Sequence, residues 1–330
     1  MGELTSRFRG NELPLPDQFQ FIPTTLNRLV TLVRNGGIAN VLMYIFTDLI
    51  RLDIYPKYSK FSTFLHGTPF IVIPIHTFEL IINLRDRGIG KHLVLFGTWE
   101  EKPANIYQTE LRKVSQQTPG GVIVDIGANI GYYAMIEADV LDKHGEVLAI
   151  EPAQENASLL ERNIRLNDFT DRITVVHGAI GDRTGEATLQ LSSESNLHRI
   201  EHERVSNRNA GEQLTNLWSL DDLLDELDYP HEKVMGLRMD VEGYEIEIFE
   251  GMKRLLSGDN PMVMYIEVHN NIFDNQEARM IPQILSEAGF EICAVERGIV
   301  SNKPFDITFS ANSWEELPEI NRAYSLIARR

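Results

Sequence analysis

Val122-Ile-Val-Asp-Ile-Gly-Ala-Asn-Ile-Gly-Tyr-Tyr133 sets the frame for the whole chain. Four apolar residues broken only by Asp125 predict a buried central strand, and the run then turns through Gly127, Asn129 and Gly131 into an apolar helix. A strand, a glycine turn and a helix in that order open a nucleotide-type site. A dinucleotide site uses Gly-x-Gly-x-x-Gly, whose bare middle glycine lets backbone approach a pyrophosphate. Here the turn is Gly-x-Asn-x-Gly, with Asn129 in the middle place.

Asp125, just before the turn, would repel a diphosphate and suits a ligand carrying an ammonium and a sulfonium, which describes S-adenosylmethionine. A second acid agrees. The run Glu146-Val-Leu-Ala-Ile-Glu-Pro152 reads as the next strand and ends in Glu151, where a carboxylate accepts hydrogen bonds from ribose hydroxyls. Either acid alone is equally well read as a helix cap or a solvated strand end. Together with the glycine turn they define a cofactor pocket.

Composition sets the boundaries. A chain of 330 residues, 43% hydrophobic, holds one large domain or a domain with a substantial extension. Its net charge of -17 and pI near 5.0 argue against a nucleic-acid surface, because phosphate binding needs a basic patch. The single cysteine, Cys293, rules out an intrachain disulfide and reads as a small core residue. Nine lysines against 22 arginines on so acidic a chain resemble the surface of salt-adapted proteins.

Along the chain, residues 1 to 23 lack the apolar core and cleavage site of a signal peptide, so a cytoplasmic protein is expected. From Thr24 to Leu52 apolar residues recur at helical spacing, broken at Gly36-Gly37. This mildly basic arm reads as a helical extension packed on the body, and less well as a peripheral contact with the inner face of a membrane. Two β-like runs, Thr68 to Ile75 and His92 to Phe96, flank a helix-like Thr77 to Leu84. An amphipathic Ile106 to Val114 precedes Gly120-Gly121, read as the hinge between an extension over 1–117 and a cofactor domain over 118–330.

Downstream, strands alternate with helices, as a parallel sheet covered on both faces requires. Helix Ala153 to Leu166, strand Ile173 to Gly178, an inserted β element Ala187 to Leu191 and a polar loop Ser192 to Gln213 come first. His198 and His202, four apart in that loop, read as a solvated face for want of a third ligand. A capped helix from Ser219, strand Val234 to Met239 and a helix with apolar face Ile246, Phe249, Met252 and Leu256 follow. The series closes with strand Met262 to His269, helix Gln276 to Ala288, strand Phe290 to Val295 and a last strand Asp306 to Ser310.

The segment Asp240-Val-Glu-Gly-Tyr-Glu-Ile-Glu, taken with Val124-Asp-Ile-Gly-Ala-Asn-Ile-Gly-Tyr-Tyr133, resembles the FkbM family of S-adenosylmethionine-dependent methyltransferases. Gly97-Thr-Trp-Glu100, Ile150-Glu-Pro152 and Tyr265-Ile-Glu267 extend the resemblance from about Gly97 to Phe309. It implies an α/β fold with a Rossmann-like class I methyltransferase sheet of seven strands in the order 3-2-1-4-5-7-6, helices on both faces, and an N-terminal helical or mixed extension. It also implies O-methylation of a hydroxyl on a sugar, glycan intermediate or polyketide-type product, with a small-molecule or lipid-linked glycan as acceptor. Carried over by position, Asp125, Gly127, Asn129 and Gly131 hold the methionine end, Glu151 the ribose, Gly178 and Ala179 the adenine, and Glu100 adds a further cofactor contact.

Methyl transfer to an alcohol requires the hydroxyl to lose its proton as it attacks, and a positioned base contributes about 10²- to 10⁴-fold. If the strands ending at Met239 and Val268 are neighbours, their carboxyl ends gather Asp240, Glu242, Glu267 and His269. Asp240 or His269 is then the expected base, since a histidine with a reference pKa near 6.5 accepts protons at neutral pH. Glu267 and Glu242 orient it or the acceptor. A divalent cation on Asp240, Glu267 and His269 is the less favoured arrangement. Glu245 reads as favouring a helix N-terminus. Competing readings are methyl-ester formation on a uronic acid, a non-catalytic cofactor-binding subunit, and a nicotinamide-dependent oxidoreductase, whose Gly-x-Gly-x-x-Gly is missing here.

Overall fold

The computed structural model describes residues 55–141, 143–192, 198–200, 211–269, 277–297, 306–307 and 324–330. The arm expected over 24–52, and His202, lie outside the described residues. In chain order the elements are α1 (Tyr55–His66), β1 (Phe70–Ile75), β2 (Phe78–Asn83), α2 (Ile89–Phe96), α3 (Glu101–Ser115), β3 (Val122–Ile126), α4 (Tyr132–Val140), β4 (Glu146–Glu151), α5 (Gln154–Leu166) and β5 (Ile173–His177). They continue with β6 (Ala179–Gly181), β7 (Gly185–Leu191), β8 (Arg199–Ile200), β9 (Gly211–Ser219), α6 (Leu220–Glu226), β10 (Val234–Met239), α7 (Glu245–Glu250) and α8 (Lys253–Ser257). The last are β11 (Val263–Val268), α9 (Glu277–Glu287), β12 (Glu291–Arg297), β13 (Asp306–Ile307) and β14 (Tyr324–Arg329).

The main sheet runs β5-β4-β3-β10-β11-β14-β12-β13. Strands β5, β4, β3, β10 and β11 are parallel, and β14 lies antiparallel between β11 and β12. Apart from the two-residue edge strand β13, this is the order 3-2-1-4-5-7-6. Strand β3 is buried along its whole length, which explains why its sequence is apolar without alternation. One face of the sheet packs Ile123, Val147, Ala149, Val263 and Tyr265 against residues of α2, α3, α4 and α5. The other packs Val124, Leu148, Ile150, Leu237, Met264 and Ile266 against α6, α7, α8 and α9.

Three expectations are corrected. The run Phe78 to Asn83 is a strand, because Phe78, Leu80 and Ile82 are buried and alternate with less buried neighbours. It closes a hairpin with β1 through His76, whose φ is 51°. The run His92 to Phe96 is helical instead, as the second half of α2. Asp86 accepts hydrogen bonds from the Gly88 and Gly90 amides at its start (3.0 and 2.7 Å), and Gly97 ends it in the left-handed region (φ 71°). The seventh strand is Tyr324–Arg329, whereas Asp306–Ile307 only caps the sheet edge against β12.

The hairpin is tied to the cofactor half by Asn163 of α5 and Asn167 at its C-terminal cap. Asn163 accepts the Ile81 amide (2.7 Å) and Asn167 the Glu79 amide (2.8 Å), so two backbone donors of β2 are satisfied by side chains. Asn163 also donates to the Ile130 carbonyl (2.8 Å), which anchors the glycine turn itself. Helix α1 buries Ser59 and Ser62 while Phe61, Phe64 and Leu65 are exposed.

Candidate active site

The turn after β3 owes its shape to left-handed backbone at Gly127 (φ 82°), Asn129 (φ 52°) and Gly131 (φ 93°). A Cβ at Gly127 would fall 2.0 Å from the Asp240 carbonyl oxygen, so only glycine lets the turn pass the end of β10. The Gly127 and Ala128 amides donate to the Ile150 carbonyl (2.9 and 3.0 Å) at the end of β4. The next amide, Asn129, donates to Glu151 Oε2 (2.8 Å). Glu151 Oε1 accepts from the Ala153 amide (2.9 Å) and Asn156 Nδ2 (3.3 Å). Burial pushes this carboxyl up to about 7 despite those bonds, which pull the other way.

An open cleft of about 570 Å³, mouth included, lies beyond these strand ends. Gly127, Asn129, Glu151, Gly178, Ala179, Asp240 and Glu242 line it, with Ile150, Ile180, Leu189, Ile200 and Tyr244 as apolar wall. Three acids and no lysine or arginine stand among the described lining residues. His198 also lines it; its Nδ1 accepts the Ser192 amide (2.9 Å) and burial lowers its pKa.

Asp125, Gly131, Glu100, Glu267 and His269 are not among the lining residues. Asp125 lies beneath the turn with no exposure, and its Oδ1 accepts from Arg238 Nη1 (3.1 Å). Burial raises its pKa against the pull of that guanidinium. Arg238 also donates to Asp240 Oδ2 (2.8 Å) and stacks on the Tyr133 ring at 4.0 Å. Strand register causes the grouping, because Asp125 faces Arg238 between β3 and β10, and Arg238 faces Tyr265 between β10 and β11. Glu100, in the left-handed region (φ 45°), accepts from the hydroxyls of Tyr265 (2.7 Å) and Tyr133 (3.1 Å). Burial first, then the charge of Asp240, raises its pKa.

The four residues expected to be catalytic do come together. His269 Nε2 is 3.5 Å from Glu242 Oε2 and 3.9 Å from Glu267 Oε1. His269 Nδ1 is 2.7 Å from Glu245 Oε1, a residue with no exposure. Glu245 thus does more than favour the start of α7: it holds the imidazole. Burial alone would lower the His269 pKa, but the Glu245 bond and the charges of Glu245, Glu242 and Glu267 raise it well above the ordinary value. That rise counts against the ring as the neutral-pH base expected from its reference pKa. Burial, then the charges of Asp240 and Glu100, raise the Glu267 pKa well above its usual range. Arg238, Tyr133, Tyr265 and Glu245 carry roles that motif spacing did not show.

The sequence profile of a family described as "Methyltransferase FkbM domain" matches residues 125–292. No curated protein sequence matches the chain. Among solved structures, an O-methyltransferase from Bacillus cereus in complex with SAH is similar at 14% identity, over 87% of this chain and 96% of that one, with a TM-score of 0.40. Similar too are M. jannaschii TYW2 in complex with AdoMet (13% identity, 79% of this chain, 85% of that one, TM-score 0.37) and a precorrin-6y C5,15-methyltransferase from Geobacter metallireducens (12%, 68% and 87%, TM-score 0.37).

Proposed function

The chain belongs to the FkbM methyltransferase family, and from that premise we propose that it is an S-adenosylmethionine-dependent O-methyltransferase acting on a hydroxyl of a sugar or glycan intermediate. The observation that carries the reading is the cleft lining: glycine turn, Glu151 and two further acids, with no lysine or arginine among the described lining residues to meet a diphosphate. The residues present fit the cofactor. Glu151 would hold the ribose hydroxyls, Ile150, Ala179 and Ile180 the adenine, and the acids at the end of β10 the positive end. When bound, the cofactor supplies a methyl group activated on a sulfonium.

The protein's own part is to hold the acceptor and take its proton. Asp240 lines the cleft and contacts the acceptor hydroxyl, while its Oδ2 is committed to Arg238. Glu267, at the end of β11 and 21% exposed, takes the proton. Neighbouring carboxylates make such a group a stronger base, because each disfavours another negative charge. His269, whose Nε2 faces both, holds Glu242 and Glu267 in place. The same crowd of acids repels a uronate, which favours a neutral hydroxyl over ester formation.

Incubation with methyl-labelled S-adenosylmethionine and a panel of neutral glycosides and uronic acids tests the acceptor. The expected product keeps its label in mild alkali, as an ether does. Label released by alkali marks an ester and contradicts the hydroxyl reading. Cofactor affinity is also expected to depend on pH through Glu151, since only the ionised carboxyl accepts both ribose hydroxyls. With its pKa near 7, binding tightens as pH rises through about 7 and levels off above. Titration calorimetry from pH 6 to 8.5 measures this, and Glu151→Gln should flatten the profile; an unchanged slope would assign it to another group.

A further inference from the structure

We propose that Asp240, Glu242 and His269 form a binding site for one hard divalent cation of the Mg²⁺ or Mn²⁺ class, an inference that deepens the hydroxyl-methylation reading and rests on it. One ligand atom from each of the three lies within 4.8 Å of the others. They come from two adjacent strand ends, β10 and β11, and two of them line the cleft, so a bound ion faces the space where an acceptor would sit. Two carboxylate oxygens and one imidazole nitrogen, with room for oxygens of water or acceptor, suit such an ion. The set expected from sequence had Glu267 in place of Glu242.

The histidine is mounted as a ligand. Glu245 grips Nδ1 at 2.7 Å and so turns Nε2 toward Glu242 and Glu267. A buried carboxylate behind an imidazole is the usual support of a metal-bound histidine, fixing its orientation and raising its basicity. An imidazole nitrogen aimed at two carboxylates needs a cation between them, either a proton or a metal ion. A second observation points the same way. Glu245 has no exposure, and among the described residues its Oε2 has no hydrogen-bond partner, so a buried carboxyl with unmet bonding capacity stands directly behind the site. Asp240, Glu242, Glu245 and Glu267 gather four carboxyl groups beside two basic side chains, His269 and Arg238.

A metal ion here replaces the Nε2 proton and lowers the pKa of a hydroxyl that joins its coordination shell. Glu245 is a positioning residue, because it acts only through His269. The test is Mn²⁺ titration of metal-stripped, full-length protein, without S-adenosylmethionine, followed by electron paramagnetic resonance of the free ion. One bound Mn²⁺ per chain is expected. Affinity should fall about tenfold or more in His269→Ala and in Glu242→Gln, and by about 10- to 100-fold in Glu245→Gln. Glu151→Ala should bind Mn²⁺ as the wild type does. Circular dichroism keeps misfolded variants out of the comparison, and the cleft-lining Glu242→Gln serves if His269→Ala does not fold. Absence of Mn²⁺ binding, or binding unchanged in folded Glu242→Gln, overturns the proposal. Failure of the methyltransferase reading would show separately, as absent S-adenosylmethionine binding with Mn²⁺ still bound.

Discussion

Replacing Arg238 by methionine is expected to destabilise the protein by about 3–5 kcal/mol, the usual cost of removing one partner of a buried ion pair. Arg238 is 4% exposed and bonds Asp125 at 3.1 Å and Asp240 at 2.8 Å, with its guanidinium on the Tyr133 ring. Without it, Asp125 is a fully buried carboxylate facing no cation. Chemical denaturation of wild type and variant measures the loss. Adding Asp125→Asn to Arg238→Met should recover part of it, because the stranded charge goes too. A loss below about 1 kcal/mol would mean that water or a side-chain shift resolvates Asp125, and the buried pair would not be the link between β3 and β10.

Glu267→Gln should lower kcat by about 10²- to 10⁴-fold, the usual worth of a positioned base. Cofactor binding should be unchanged, because Glu267 does not line the cofactor cleft. Glutamine keeps the size of the side chain and cannot take the proton, so the effect falls on the chemical step. Single-turnover methyl transfer at saturating acceptor, beside a cofactor titration, separates the two. A variant that transfers methyl at more than a tenth of the wild-type rate would move the base to Asp240. Aspartate at the same place should recover some activity, since it restores a carboxylate slightly short of its position.

The sheet was legible because its strands are buried on both faces and punctuated by glycine, acid and proline. Val122 to Ile126, Glu146 to Glu151, Val234 to Met239 and Val263 to Val268 all fall where the apolar runs place them. Where an apolar run is ambiguous, the reading exchanged helix and strand. Leu80-Ile-Ile82 is strand because it pairs with β1 and its edge amides meet Asn163 and Asn167, partners more than eighty residues away. The seventh strand, Tyr-Ser-Leu-Ile-Ala-Arg, is as long as β4, β10 and β11 but has no glycine or proline beside it, and it is fixed by its slot between β11 and β12.

Within the site, the acids were legible because they end strands. Their relations were not. Arg238 meets Asp125 only because the two are register partners on neighbouring strands, and the His269 pKa rises chiefly because Glu245 lies behind it. Asp125 shows the consequence: its position before the glycine turn suggests a ligand contact, while the register turns it inward onto an arginine that no motif had singled out.

The measurement that bears most directly on the central claim is calorimetric titration of the purified chain with S-adenosylmethionine and, separately, NADH. One site for S-adenosylmethionine is predicted, weakened about tenfold or more by Glu151→Ala through loss of charge-assisted hydrogen bonds, with no heat from NADH. Binding of NADH in preference to S-adenosylmethionine, or S-adenosylmethionine binding untouched by Glu151→Ala, would contradict the cofactor site described for this cleft.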